Sequence, residues 1–125
     1  MFRISQRIEI FVKHKLQFGY DTSYQKPHGH NWIITVVVEG ETLNKNNMLT
    51  DFTRLKNQVV KYENKDITDL FGGANATMEH VAFYIYKDVA RVLQAAEDDY
   101  LYGRFPYVAE VSIQESDGGI SRYIP

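Results

Sequence analysis

In the stretch Ile4-Ser5-Gln6-Arg7-Ile8-Glu9-Ile10-Phe11-Val12-Lys13-His14-Lys15-Leu16-Gln17-Phe18 the even positions read Ile, Gln, Ile, Ile, Val, His, Leu, Phe, and the odd ones are mostly polar. Successive side chains of an extended strand leave opposite faces, so this period of two predicts one long, half-buried β-strand over Ile4 to Phe18. His14 falls in the apolar row. The polar, turn-forming stretch Gly19 to Pro27 separates it from a second β-rich run, His28 to Glu39, which stops at Gly40. The two runs are expected to pair antiparallel.

The period then changes. Phe52, Leu55, Val59 and Tyr62 recur at three and four residues, which predicts a helix between Thr50 and Tyr62 with Thr50 or Asp51 as its N-cap. A second helix, about Thr77 to Glu97, carries Met78, Val81, Ala82, Ile85, Val89, Val92, Leu93 and Ala96 on one face. Gly72-Gly73 marks the turn between them. Asn75-Ala76-Thr77 fits a glycosylation sequon, but it reads better as the start of this helix. Tyr107 to Glu115 alternates again, with Tyr107, Ala109, Val111, Ile113 and Glu115 on one face. Asp117-Gly118-Gly119 is hairpin chemistry before a short strand, Ile120 to Ile124. The order is ββααββ, an α+β fold in which a four-stranded antiparallel sheet carries two helices on one face. Its two open edges call for closure through symmetric subunit contacts, hence a homo-oligomer.

Composition narrows the function. A chain of 125 residues fits a single domain, 1–125, and 44% hydrophobic residues suffice for a core. Fourteen Lys and Arg against sixteen Asp and Glu leave a net charge of -2, so no nucleic acid partner is expected. The run Ile33 to Val38, broken by Thr35, is far short of the about 20 residues that cross a bilayer, so no membrane partner is expected. Met1 to Glu9 lacks the pattern of a secretion signal, and a cytoplasmic location follows as the expectation. With no cysteine, thiolate ligands and thiol nucleophiles are excluded, leaving nitrogen and oxygen donors.

His28 and His30 flank Gly29 at the head of a strand, so both imidazoles leave one face about 7 Å apart. Two rings so placed can converge on an ion bound at about 2.0 to 2.1 Å, and an antiparallel neighbour brings His14 in as a third nitrogen. Three nitrogens with an open position form a catalytic type of zinc site. An imidazole without a partner is costly to bury, and these three lie in rows of Ile, Val, Leu and Trp32. His80, beside the apolar face of the second helix, reads as structural.

With these elements assembled, the chain resembles the 6-pyruvoyl-tetrahydropterin synthase and 6-carboxy-tetrahydropterin synthase family over nearly its whole length. The resemblance rests on His14-Lys15-Leu16, His28-Gly29-His30-Asn31, Met48-Leu49-Thr50-Asp51-Phe52 with Leu55-Lys56, Thr77-Met78-Glu79 with Val81-Ala82, and Glu115-Ser116-Asp117. It implies the tunnelling fold, in which subunits close into a barrel as a trimer or a pair of trimers, hence a hexamer. It implies zinc on His14, His28 and His30, a pterin or related purine-derived small molecule as substrate, and lyase chemistry on a dihydroneopterin-like compound. Glu115 would anchor the ring, because one carboxylate can accept two parallel N–H bonds from an aminopyrimidinone edge. Glu79 matches the family's substrate-side glutamate, with Thr77 beside it as a second substrate-binding residue, although a carboxylate is also favoured in any first helical turn.

The departures are equally specific. The family's general base is a cysteine four residues before the first histidine of His-x-His, and that position holds Tyr24. Its partner, an Asp-His pair between the helices, aligns with Asp66-Ile67. A subgroup uses glutamate three residues before that histidine, where this chain has Gln25. Proton transfer would then fall to a non-standard group, with Tyr24 and Asp66 as first candidates and Tyr20, Asp21 and Asp69 nearby. A tyrosine starts from a pKa of about 10 and needs a cation, such as the metal or Lys26, to lower it. Three readings stay open: a zinc-dependent lyase with an unusual base, a metal- and pterin-binding module that is catalytically altered or inactive, and a structural oligomer whose histidines bind adventitious metal.

Overall fold

A computed structural model describes residues 1–16, 28–73, 75–116 and 118–125, the side chain of His28 excepted. Strands β1 (Phe2–His14) and β2 (His28–Gly40) pair antiparallel along their full lengths, from Phe2 opposite Gly40 to His14 opposite His28. The period of two is realised as read. Ile8, Ile10, Val12 and His14 of β1 are buried against the helices, with Trp32, Ile34, Val36 and Val38 of β2. β1 begins two residues earlier than the alternation alone suggests and ends at His14. The expected continuation to Phe18 falls outside the described residues.

Helix α1 (Phe52–Val60) starts at Asp51, whose carboxylate accepts the Thr53 N–H at 2.9 Å. It buries Leu55 and Val59. Phe52, expected on the core face, stays about half exposed at the first helical position, beside the start of β1. Asn64 then adopts a left-handed conformation at φ 59°, which asparagine tolerates, and the chain turns back along β1. The result is a strand absent from the sequence reading: β3 (Lys65–Asp66) pairs parallel with Val12 and Lys13. The sheet is therefore mixed and five-stranded rather than four-stranded and antiparallel. Helix α2 (Met78–Ala95), capped by Thr77, lays Val81, Ala82, Ile85, Val89 and Leu93 onto the same face. Each such buried aliphatic side chain contributes about 1.5–3 kcal/mol of transfer free energy.

Strand β4 (Tyr107–Glu115) pairs with β2, and β5 (Ile120–Tyr123) closes the far side, giving the order β3-β1-β2-β4-β5. The strict alternation expected in β4 is broken. Val37 pairs with Glu110 but Val38 with Val108, so Ala109 is an extra residue, a β-bulge. Val108 is buried and Tyr107 exposed, the reverse of the expectation, while Val111, Ile113 and Glu115 keep the inward face. The bulge lies at the end of β4 away from Glu115, so it leaves the register Trp32 opposite Glu115 intact. Among the described residues, no helix is long and apolar enough to cross a membrane.

Candidate functional site

The inward rows of β1, β2 and β4 end together at one edge of the core, and they end in polar groups. His14 closes the β1 row, His30 precedes Trp32 in the β2 row, and Glu115 closes the β4 row opposite Trp32. His14 is buried and its Nδ1 lies 2.8 Å from the carbonyl oxygen of Ala76. A carbonyl only accepts, so the ring donates through Nδ1 and its lone pair sits on Nε2, which is also buried. This is the arrangement by which a backbone carbonyl fixes the tautomer of a ligating histidine. Because Ala76 immediately precedes the α2 cap, the helix entry orients the imidazole.

His30 meets His14 edge to face, with ring centroids 5.2 Å apart and planes at 82°, and His14 meets Trp32 in the same way at 5.5 Å and 88°. The Trp32 indole N–H donates to Oε1 of Glu115 at 3.1 Å, and His30 Nε2 lies 3.6 Å from that same oxygen. One donor atom each from His14, His30 and Glu115 falls within 4.8 Å of the others. The third expected ligand, His28, has its backbone directly opposite His14, while its side chain lies outside the described residues. Two imidazoles and a carboxylate, with no thiolate, form a donor set suited to zinc, and the His14 tautomer presents the nitrogen that such an ion requires.

A cavity of about 160 Å³ opens over this cluster, lined by His14, His30, Glu115, Thr77 and Glu79, with Leu16 and Met78 as apolar walls. Thr77 caps α2 by accepting the His80 N–H at 3.2 Å. Glu79 accepts a hydrogen bond from the Ser121 hydroxyl at 3.0 Å. Its carboxyl is held below the usual carboxylate range, chiefly by its own backbone N–H in the first turn of α2 and then by Ser121 and Thr77, against the opposing effect of burial. The cavity thus carries, besides Glu115, a second carboxylate held at a fixed place.

The expected acid–base groups are not all at this cavity. Tyr24 lies outside the described residues, as do Tyr20, Asp21 and Gln25. Asp66 stands exposed on β3, where its Oδ1 accepts from the Thr68 hydroxyl at 2.7 Å and the Thr68 N–H at 3.0 Å. Those two bonds, the hydroxyl's first, lower its pKa and make it a weaker proton acceptor than a free aspartate. Ile67, aligned with the family's histidine, is fully buried in the core. Asp69 is exposed, and His80 packs against the rings of Phe71 and Tyr84 at 5.7 and 4.9 Å, away from the cluster.

Sequence reasoning missed Trp32 and Ser121 as parts of this site. Trp32 was findable, since it stands two residues after His30 and shares its face. The Ser121–Glu79 contact joins β5 to α2, and no local spacing announces such a pairing.

The family model for 6-pyruvoyl tetrahydropterin synthase matches residues 3–124. Among solved structures, the chain is similar to the Caenorhabditis elegans 6-pyruvoyl tetrahydropterin synthase, at 18% identity and TM-score 0.68 over 99% of this chain and 95% of that one. It is similar to an uncharacterized protein from Wolinella succinogenes at 13% identity and TM-score 0.72, covering 98% and 97%. The Plasmodium vivax 6-pyruvoyl tetrahydropterin synthase, in which a glutamate is a catalytic residue, gives 14% identity and TM-score 0.64, covering 98% of each chain. No curated protein sequence gives a significant match. The structures agree on the fold, and the family match runs almost end to end through His14, His30, Glu79 and Glu115, so this chain belongs to the 6-pyruvoyl tetrahydropterin synthase family.

Proposed function

We propose that this protein is a zinc-dependent lyase acting on a dihydroneopterin-like pterin, with a non-standard general base. The observation that carries the reading is the convergence of His14, His30 and Glu115 donor atoms within 4.8 Å under a cavity that Thr77 and Glu79 also line. His14, His28 and His30 would hold the metal. Zinc, when bound there, supplies a Lewis acid that polarises an oxygen of the substrate side chain. Glu115 anchors the aminopyrimidinone edge by accepting paired N–H bonds, and Thr77 and Glu79 face the rest of the substrate. Acid–base work falls to Tyr24 ahead of Asp66, whose carboxylate is committed to Thr68. The Plasmodium vivax enzyme uses a glutamate for catalysis, and where the family resemblance places a subgroup's glutamate, three residues before His28, this chain has Gln25, which takes no proton.

That shortage of bases supports a second reading, a metal- and pterin-binding module without turnover. In either reading the chain is one domain working in the cytoplasm as a homo-oligomer, a trimer or a hexamer. The β1 edge from Phe2 to Ile10 carries no strand among the described residues, and the half-exposed Phe2, Met48 and Phe52 lie beside it, which supports subunit closure there. The test is metal analysis followed by incubation with dihydroneopterin triphosphate and simple dihydropterins. About one zinc per chain with a new pterin product supports the lyase, whereas zinc and pterin binding without product supports the module. Less than about a tenth of an equivalent of metal, on a site built for tight binding, sinks both.

A further inference from the structure

We propose that Glu115 is the fourth protein ligand of the metal when no substrate is present, held there by Trp32, and that the arriving pterin must draw the carboxylate away. The inference rests on the zinc reading above and concerns what closes the site. Two donors sharing a tetrahedral ion at about 2.0 to 2.1 Å stand about 3.3 Å apart. His30 Nε2 and Glu115 Oε1 are 3.6 Å apart, close to that edge and too long for a good hydrogen bond. A Glu115 carboxylate oxygen also lies within 4.8 Å of a His14 ring nitrogen, so this carboxylate already sits where a ligand would.

It is also held in place. Trp32 is fully buried, its indole N–H is a donor with no acceptor capacity, and it spends that donor on Oε1 at 3.1 Å. A carboxylate oxygen has lone pairs for both a donor and a metal, so the Trp32 bond and ligation are compatible, as in the outer contacts that orient metal ligands. Three imidazoles and one carboxylate make a closed site, and catalytic zinc needs an open position. Substrate therefore has to open it. A pterin whose ring N–H groups compete for Glu115 removes the fourth ligand and frees the position for its own side-chain oxygen in one movement. Trp32 is a positioning residue in this scheme and does not touch the substrate.

The test uses the metal-free full chain titrated with cobalt(II), whose visible bands report ligand number and type, and competition with a chelator for zinc. For the unsubstituted protein, adding dihydroneopterin should change the cobalt bands, since a carboxylate leaves and a substrate oxygen enters. Glu115→Gln should weaken metal binding about tenfold or more and shift the bands before any pterin is added. Trp32→Phe should retain all four ligands but bind about tenfold more weakly. Glu115→Asp should recover part of the spectrum. Metal bound by Glu115→Gln with unchanged affinity and unchanged bands overturns the inference and leaves the zinc-lyase reading standing. A cobalt spectrum of the unsubstituted protein already typical of three nitrogens and water does the same. Failure of every form to take up metal overturns both.

Discussion

Restoring the family's histidine by Ile67→His should damage this protein rather than repair it. Ile67 is fully buried, and its N–H donates to the Lys13 carbonyl at 2.9 Å, which ties the segment after β3 to the strand bearing His14. Removing a buried isoleucine forfeits about 2 kcal/mol of transfer free energy. Placing an imidazole without a partner in the same spot adds about 1–3 kcal/mol. The sum, about 3–5 kcal/mol, is a large part of the 5–15 kcal/mol that holds typical domains folded. With a urea slope of about 1.5 kcal/mol per molar, the midpoint of equilibrium unfolding should fall by about 2–3 M. A pH signature accompanies it. Burial lowers a histidine's folded pKa below its unfolded value of about 6.5, so the variant's remaining stability is present above that value and is lost as pH falls through it. The deficit relative to the parent should therefore be larger at pH 5 than at pH 8. Ile67→Val, which removes one methyl group for about 1 kcal/mol, should show a deficit independent of pH. If Ile67→His lies within 1 kcal/mol of the parent at pH 8, or if its deficit is equal at both pH values, the core assignment of this position is refuted.

Asp51→Ala removes the α1 cap and should cost about 1 kcal/mol, a melting point lower by about 4 °C, with zinc uptake unchanged; altered uptake would mean that the cap does more than start a helix. A methyl group on Gly29 would stand 2.5 Å from Cζ of Phe11, so Gly29→Ala should displace that ring at a cost of about 1–2 kcal/mol. Phe11→Ala should relieve most of it, and strict additivity of the two substitutions in a double-mutant cycle would contradict the contact. Burial, followed by the charge of Asp88, pushes the Tyr62 phenol up to about 12. Its folded pKa is raised, so the stability it contributes is complete below about pH 10 and is lost as pH rises from 10 towards 12, about 3 kcal/mol in all. Denaturation curves at pH 9 and 11.5 should diverge for the parent and far less for Tyr62→Phe; equal divergence would assign the alkaline loss to other groups.

The β1–β2 pair and the placing of His14 and His30 on its inward face were legible because strand faces alternate with a fixed period, and one long register carries that pattern from Phe2 to His14 and from His28 to Gly40. The helices were legible through Asp51 and Thr77, whose side chains cap for local reasons. Two features were not. β3 is two residues long and depends on the left-handed Asn64, so no period could reveal it, and the bulge at Ala109 exists only as a mismatch between two strands. The same limit applies to the site. His14, His30 and Glu115 could be named from the sequence, but the contact of Glu115 with Trp32 and His30 arises from the β2–β4 register and so belongs to the fold.

In the proposed lyase, metal binding and proton transfer would draw on different parts of this chain, and the family pattern is kept in the first and departed from in the second. The donor atoms are fixed by strand ends and by the α2 entry, through Ala76 and Trp32. The segment that resembles the family's acid–base pair is spent on the edge of β1. Glu63 accepts the Phe11 N–H at 3.2 Å, and Asn64 donates to the Phe11 carbonyl at 2.7 Å. Ile67 donates to the Lys13 carbonyl, and the Thr68 hydroxyl accepts the Lys15 N–H at 3.0 Å. An open strand edge next to His14 would leave backbone groups to be satisfied by water and His14 loosely held, and this clamp prevents both. Asp66 in turn holds Thr68 in the geometry the clamp requires. Residues 63–68 therefore hold in place the strand that bears His14. For the proposed lyase, the commitment of Asp66 to Thr68 ranks Tyr24 and its neighbours before His28 ahead of it in the search for a base.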